Sequence, residues 1–238
     1  MARKVNVAWP ALKQAAIKLY DHLGIAMGFS LLWLFIGVAP LFFAYPLLLE
    51  SWLFGGVLLV LVASLLFAPA TCATWEACRR MMSRQDAGMG SFFRFFGLFF
   101  KKAFLLGLAN GLLFLVLAAD LYFAFRTGNR FFQFMGGIWV WFGAFLLLMQ
   151  VYLVPLLLDG NSVPKTFKKA ALLVLDNLGN TLVVLLETAA ILLLSLLVPP
   201  LLVLFFPVMV GFLQIGAYQI IMSKYVDEED DDAQVAGA

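Results

Sequence analysis

Charge is scarce in this sequence: Asp, Glu, Lys and Arg make up 13% of it, about half the share of roughly 25% usual in soluble domains. A water-soluble fold covers its surface with such groups, so a soluble enzyme, a disordered chain and an aqueous binding module are excluded. Histidine occurs once, at His22, and cysteine twice, at Cys72 and Cys78. One imidazole and two thiols cannot fill a metal shell, and the cysteine spacing is neither C-x-x-C nor a usual zinc spacing. Both thiols are read as unpaired, and no metal or other cofactor is expected. A Ser-His-Asp arrangement would depend on His22, far in sequence from any polar cluster. No phosphate-binding G-x-x-x-x-G-K-[ST] occurs. Net charge is +2, which leaves no bulk electrostatic case for nucleic acid. These absences lead to the expectation of a protein without catalysis.

Apolar surface is what the chain has in excess. Of 238 residues, 64% are hydrophobic and 25 are Phe. Mean hydropathy is +0.99. The first partner of such a chain is the lipid bilayer, so it reads as an integral membrane protein. The N-terminus does not read as a cleaved signal peptide, because its apolar stretch is long, lacks a small-residue cleavage site and is followed by more spans.

A crossing needs about 20 apolar residues. Stretches of that kind run over 24–45, 52–71, 103–124 and 131–158, the first carrying Pro40. Pro46, Glu50 and Ser51 mark a turn after the first. The last apolar region, 181–222, would make a helix of roughly 63 Å, about twice the hydrocarbon thickness. It must fold back, and Pro199-Pro200 is the expected turn, giving spans 181–198 and 201–222. The expected fold is all-α: a polytopic bundle over 24–222, with about six spans in three hairpins. Residues 1–23 are expected as a cytoplasmic amphipathic helix and 223–238 as a disordered acidic tail, whose DEEDDD occupies 227–232.

Of the 16 basic residues, 14 fall in the two termini, the second-to-third loop and the fourth-to-fifth loop; Arg126 and Arg130 lie opposite. The positive-inside rule then places both termini in the cytoplasm. Helical periodicity makes the basic segments amphipathic. In 92–100, Phe92, Phe93, Phe95, Phe96, Phe99 and Phe100 fall within one arc of about 160°, with Arg94 and Lys101 opposite. In 9–23, Trp9, Leu12, Ala16, Leu19, Tyr20 and Leu23 share a face. In 165–178, Phe167, Ala170, Ala171, Val174 and Leu178 oppose Lys165, Lys168, Lys169 and Asp176. Each is expected to lie in the membrane surface. Such helices orient hairpins; alternatively Phe92, Phe93, Arg94, Phe96, Phe100, Lys101, Lys102, Lys168 and Lys169 form a docking surface for a partner. FKKA occurs at Phe100–Ala103 and at Phe167–Ala170, a weak repeat that suggests one unit, a surface helix plus a hairpin, used three times.

The stretch LLFAPATCATWEACRRMMSR, followed by GSFFRFFGLFFKKAFLLGLANGLLF, resembles the YesL-like family of bacterial multi-pass membrane proteins. Pro69, Ala70, Thr71 and Ala73 match its P-A-T-x-A step, and Phe92, Phe96 and Phe100 its Phe-rich stretch. PKTFKKAALLVLDNLGNTLVVLL is similar to its second inward segment. The resemblance implies an all-helical protein of the bacterial cytoplasmic membrane, often encoded near carbohydrate uptake systems, with no established activity and no catalytic residue. The acidic tail departs from the family pattern.

Glu187 is the one acid well inside an apolar stretch, and Asn110, Gln150 and Gln214 are amides in spans that could partner it. Two readings stand: a proton or cation site, or an inter-helix hydrogen bond. A polar cavity around Glu187 would favour a small-solute or ion transporter. A dry bundle with Glu187 capped by an amide would favour an accessory or assembly subunit, associating with another membrane protein or with itself. Asp120, Arg126 and Arg130 read as an ordinary interface. Thr71 and Thr74 are expected to satisfy carbonyls near Pro69. Gly24, Gly28, Gly37, Gly136, Gly137 and Gly143 suit close helix contact.

Overall fold

The computed structural model describes the backbone of residues 7–49, 53–85, 87–127 and 129–236, and their side chains except at 8, 47–49, 53–58, 61 and 226–236. No strand occurs among the described residues. Five helical stretches are long and apolar enough to cross a membrane: Leu23–Pro46, Ser91–Arg126, Arg130–Leu158, Leu178–Leu197 and Phe206–Tyr225. A sixth long helix, α4 (Leu53–Met82), has no charge from Leu53 to Thr71. The all-α multi-pass architecture is therefore present.

The first crossing combines α2 (Leu23–Trp33), a π-helical turn over Leu34–Val38 and α3 (Ala39–Leu49). A proline ring crowds the carbonyl four residues before it, and the widened turn lies just ahead of Pro40, where that crowding falls. Pro46 does not break the helix, since α3 continues through it to Leu49; Glu50 and Ser51 lie outside the described residues. Helix α5 (Ser91–Arg126) is followed by α6 (Arg130–Leu158), whose first turn is capped by the Asn129 side chain accepting from the Phe131 amide at 2.9 Å.

Two basic segments form separate helices, α1 (Ala8–Asp21) and α7 (Val163–Asp176), each followed across one non-helical residue by a crossing, α2 or α8 (Leu178–Leu197). The breaks match: His22 has φ −126 and ψ 29, and Asn177 has φ −126 and ψ 38. So does the sequence: Lys13, Ala15, Ala16, Asp21, Leu23 and Gly24 recur as Lys168, Ala170, Ala171, Asp176, Leu178 and Gly179. Asp, His and Asn are weak helix formers and Gly is weaker, so both helices break where these residues gather. Ala15 and Ala170 are both fully buried, and α1 packs on α10 as α7 packs on α6. Trp9 is 68% and Tyr20 78% exposed, while Ala11 and Ala15 turn inward.

The third basic segment is no surface helix. Phe92 to Phe100 belong to α5, which runs unbroken for 36 residues, roughly 54 Å. Phe92 and Phe95 are fully buried inside the protein rather than facing lipid. Nothing between Phe100 and Ala103 breaks a helix, and Lys101 and Lys102 are good helix formers.

The last turn also differs. Helix α8 ends at Leu197, and α9 (Pro199–Leu204) is a short helix with the prolines in its first turn. A second break at Phe205, φ −133, precedes α10 (Phe206–Ala236). The crossing thus begins at Phe206, not at 201. Proline lacks only a donor that a first turn leaves unused, so the pair starts a helix as well as ending one. The α10 backbone is helical through the acidic run to Ala236. A helix already nucleated in the crossing extends at little cost.

These helices sort into two layers. Buried fractions are 67% for the α10 crossing and 50% for α6, against 11% for α5, 17% for α8 and 28% for α2–α3. In α4, Ala70 and Cys72 to Cys78 are buried. Helices α4, α6 and α10 touch one another, and each pairs with the outer helix that precedes it: α3, α5 and α8. Three hairpins thus each give one helix to a three-helix centre and one to the layer around it. Close approaches occur at Gly143, where a Cβ would lie 2.9 Å from Leu117, and at Gly37, Gly107 and Gly211. Gly24 and Gly137 meet nothing within 4 Å, so these two are not contact sites.

Candidate functional site

Two polar places emerge, one at the basic end of the bundle and one in its middle. At the basic end, α4 continues past its apolar stretch and presents Glu76, Arg79 and Arg80 at spacings of three and four, which face one another on a helix. Glu76 is only 3% exposed. Arg79 Nη2 lies 2.7 Å from one of its carboxylate oxygens and Arg80 Nε 2.9 Å from the other. Arg79 Nη1 reaches α6, donating to the Leu158 carbonyl at 3.3 Å and to Asp159 at 3.2 Å. Asp159 in turn accepts from the Tyr218 hydroxyl of α10. One network therefore joins all three inner helices.

Its outer members tie in α5. The Arg80 guanidinium lies 4.6 Å above the Phe95 ring, and Lys102 donates to the Gly160 carbonyl at 3.4 Å. Gly160 has φ +84, a conformation that suits glycine and turns the chain out of α6. The last α6 carbonyls are all engaged: Leu156 by Asn161 at 2.7 Å, Leu157 by the Gly160 amide, Leu158 by Arg79. Cationic Arg79 at a helix C-terminus also suits the helix dipole.

The second place is a cavity of about 640 Å³ between α3, α4, α5, α6 and α10. Three of the four polar residues singled out from the sequence line it: Asn110, Gln150 and Gln214. Asn110 and Gln150 exchange two hydrogen bonds at 3.1 Å, and the Gln150 amide also donates to the Leu146 carbonyl. Gln214 Oε1 accepts from the Trp75 indole at 3.0 Å. Thr71 donates to the Phe67 carbonyl and accepts from the Trp33 indole, and Thr74 donates to Ala70. Among the described residues, no Asp, Glu, Lys or Arg lines the cavity.

Glu187 is not brought to these amides. It sits half-buried on α8, with Oε2 buried and no hydrogen-bond partner among the described residues. Among the described residues neither arrangement expected for it occurs: no amide caps it, and it does not line the polar cavity. The expected docking residues separate as well. Phe92 is buried and Phe96 half-buried, while Phe93, Arg94, Phe100, Lys101, Lys102, Lys168 and Lys169 are exposed.

The Glu76 network is what sequence reasoning missed. Its signal was E-x-x-R-R directly after the second apolar stretch, which pairs one acid with two bases on one helical face. Asp159 and Tyr218 gave no local signal, since only the packing of α6 and α10 brings them to Arg79. Chemically, this place holds a carboxylate between two guanidiniums, and the cavity holds neutral amides and indoles. No group of three or more His, Cys, Asp or Glu that could hold a metal occurs among the described residues. No family model, no characterised protein and no solved structure matches this chain.

Proposed function

We propose that this chain is a non-catalytic accessory or assembly subunit of a membrane complex, which docks on another membrane protein, or on a second copy, through its basic end. The division of its charges carries this reading. Glu76, Arg79, Arg80 and Asp159 are engaged with one another across the ends of the inner helices, while Arg94, Lys101, Lys165, Lys168 and Lys169 are exposed around the same end. Paired charge is thus committed to holding helices, and the remaining basic charge to an outward face. The Lys and Arg distribution supports both termini on the cytoplasmic side. Likeness to the YesL-like family, at Pro69, Ala70, Thr71 and Ala73 and in the Phe-rich stretch, supports a bacterial cytoplasmic membrane and a link to carbohydrate uptake. The test is purification from detergent-solubilised membranes beside a variant with Lys165, Lys168 and Lys169 changed to Glu. A stoichiometric complex, lost in that variant while insertion and thermal midpoint hold, is the expected result.

One observation favours a second reading, a small-solute or ion transporter: the buried, unpartnered Oε2 of Glu187 in a crossing. Proton or cation flux into liposomes that disappears in Glu187→Gln, with assembly intact, would establish it and overturn the first.

A further inference from the structure

Among the described residues that line the cavity between α4, α5, α6 and α10, the Gln214 amide nitrogen makes no hydrogen bond. A tryptophan indole can only donate, so Trp75 fixes the Gln214 oxygen toward itself and turns the amide nitrogen away. That nitrogen carries two N–H donors and has no partner among the described residues, although Gln214 is only 9% exposed and lines the cavity. The remaining polar groups are engaged with each other or with backbone, Asn110 with Gln150 and Thr71 with Trp33 and Phe67. A donor that opens on an apolar cavity without an acceptor is unfavourable, and an occupant that supplies one removes the deficit.

The surroundings limit that occupant. Among the described residues no charged side chain lines the cavity, so an ionic headgroup would be desolvated without compensation. Walls such as Phe67, Leu106, Leu153 and Val154 are apolar, and about 640 Å³ is within the usual range of roughly 300–1,000 Å³ for small-molecule sites. Leu41, Ser64 and Phe67 are exposed lining residues and mark its mouth. Gln214 stands about 12 Å along a 20-residue crossing of roughly 30 Å, near mid-depth. An ester carbonyl held at the interface by a charged headgroup does not reach that level. We infer that this cavity binds an uncharged lipid presenting a carbonyl acceptor to the Gln214 amide nitrogen, from an isoprenoid quinone or a diacylglycerol.

Native mass spectrometry of the detergent-purified full chain tests this with decylubiquinone, dioctanoylglycerol and dioctanoyl phosphatidylglycerol as probes. Two variants accompany the wild type. Gln214→Leu removes the donor. Gly111→Leu fills the space, since a Cβ there meets nothing within 4 Å and the helix gains a better former. A saturable one-to-one adduct with a neutral probe is expected, weakened about tenfold in both variants, a loss of roughly 1.4 kcal/mol. The phosphatidylglycerol adduct should be equal in all three proteins. Whichever neutral probe forms the tighter adduct identifies the source. Absence of a neutral adduct, its retention at wild-type strength in Gly111→Leu, or its displacement by phosphatidylglycerol would overturn the proposal. The adduct forms on the isolated chain, so the result is independent of any partner protein.

Discussion

Glu76 is the residue on which the basic end closes. Its carboxylate is buried, its two arginines are each about one-third exposed, and Arg79 passes the connection on to Asp159 and Tyr218. Removing one member of a buried pair leaves the other uncompensated, a cost reduced here because the arginines reach solvent. Glu76→Gln should therefore lower stability in detergent by about 1–3 kcal/mol. A double-mutant cycle of Glu76→Gln with Arg79→Ala should give a coupling of about 0.5–3 kcal/mol, read from unfolding midpoints. Additive losses would mean that the two side chains do not act on each other.

At the scale of the element, α5 behaves unlike α1 and α7 although all three begin basic and amphipathic. Helices α1 and α7 end at Asp21-His22 and Asp176-Asn177, whereas Phe100-Lys101-Lys102-Ala103 has no residue that favours a break. Continuity carries Phe92 against Phe29, ring centroids 5.8 Å apart, and Phe95 under Arg80. Amides from 98 to 104 should exchange as slowly as those of a helix interior, while amides around Asn177 exchange faster. Fast exchange at 100–103, measured by mass spectrometry in detergent, would show a surface helix joined to its span by a turn.

For the whole molecule, the decisive feature is the layering of α4, α6 and α10 inside and α2–α3, α5 and α8 outside. Cys72 and Cys78 lie on the inner helix α4 at 1% and 0% exposure, and Cys78 Sγ is 3.7 Å from the Val208 carbonyl of α10. Thiol chemistry needs an accessible sulfur, so both should react with maleimide about a hundredfold or more slowly in the folded protein than after denaturation. Rapid labelling of either without unfolding would place α4 on the outside and remove the three-helix centre.

Composition and period alone determined that lipid is the solvent, that the chain is helical, and that one end is basic. Each is a property of a single segment: an apolar run long enough to cross, or cations on one face of a turn. They also located Asn110, Gln150 and Gln214, because an amide in an apolar run stands out without neighbours. Only the tertiary structure decided which helices are inner, that Phe92 and Phe95 face protein, that Glu187 stands apart from the amides, and that Glu76, Arg79, Asp159 and Tyr218 meet. The reason is physical. In water, apolar residues mark the side that is buried; in a bilayer, lipid and protein interior are equally apolar, so hydropathy cannot separate them. That choice is made by close approach at glycines and by pairing of polar groups on different helices, both settled only when distant segments pack.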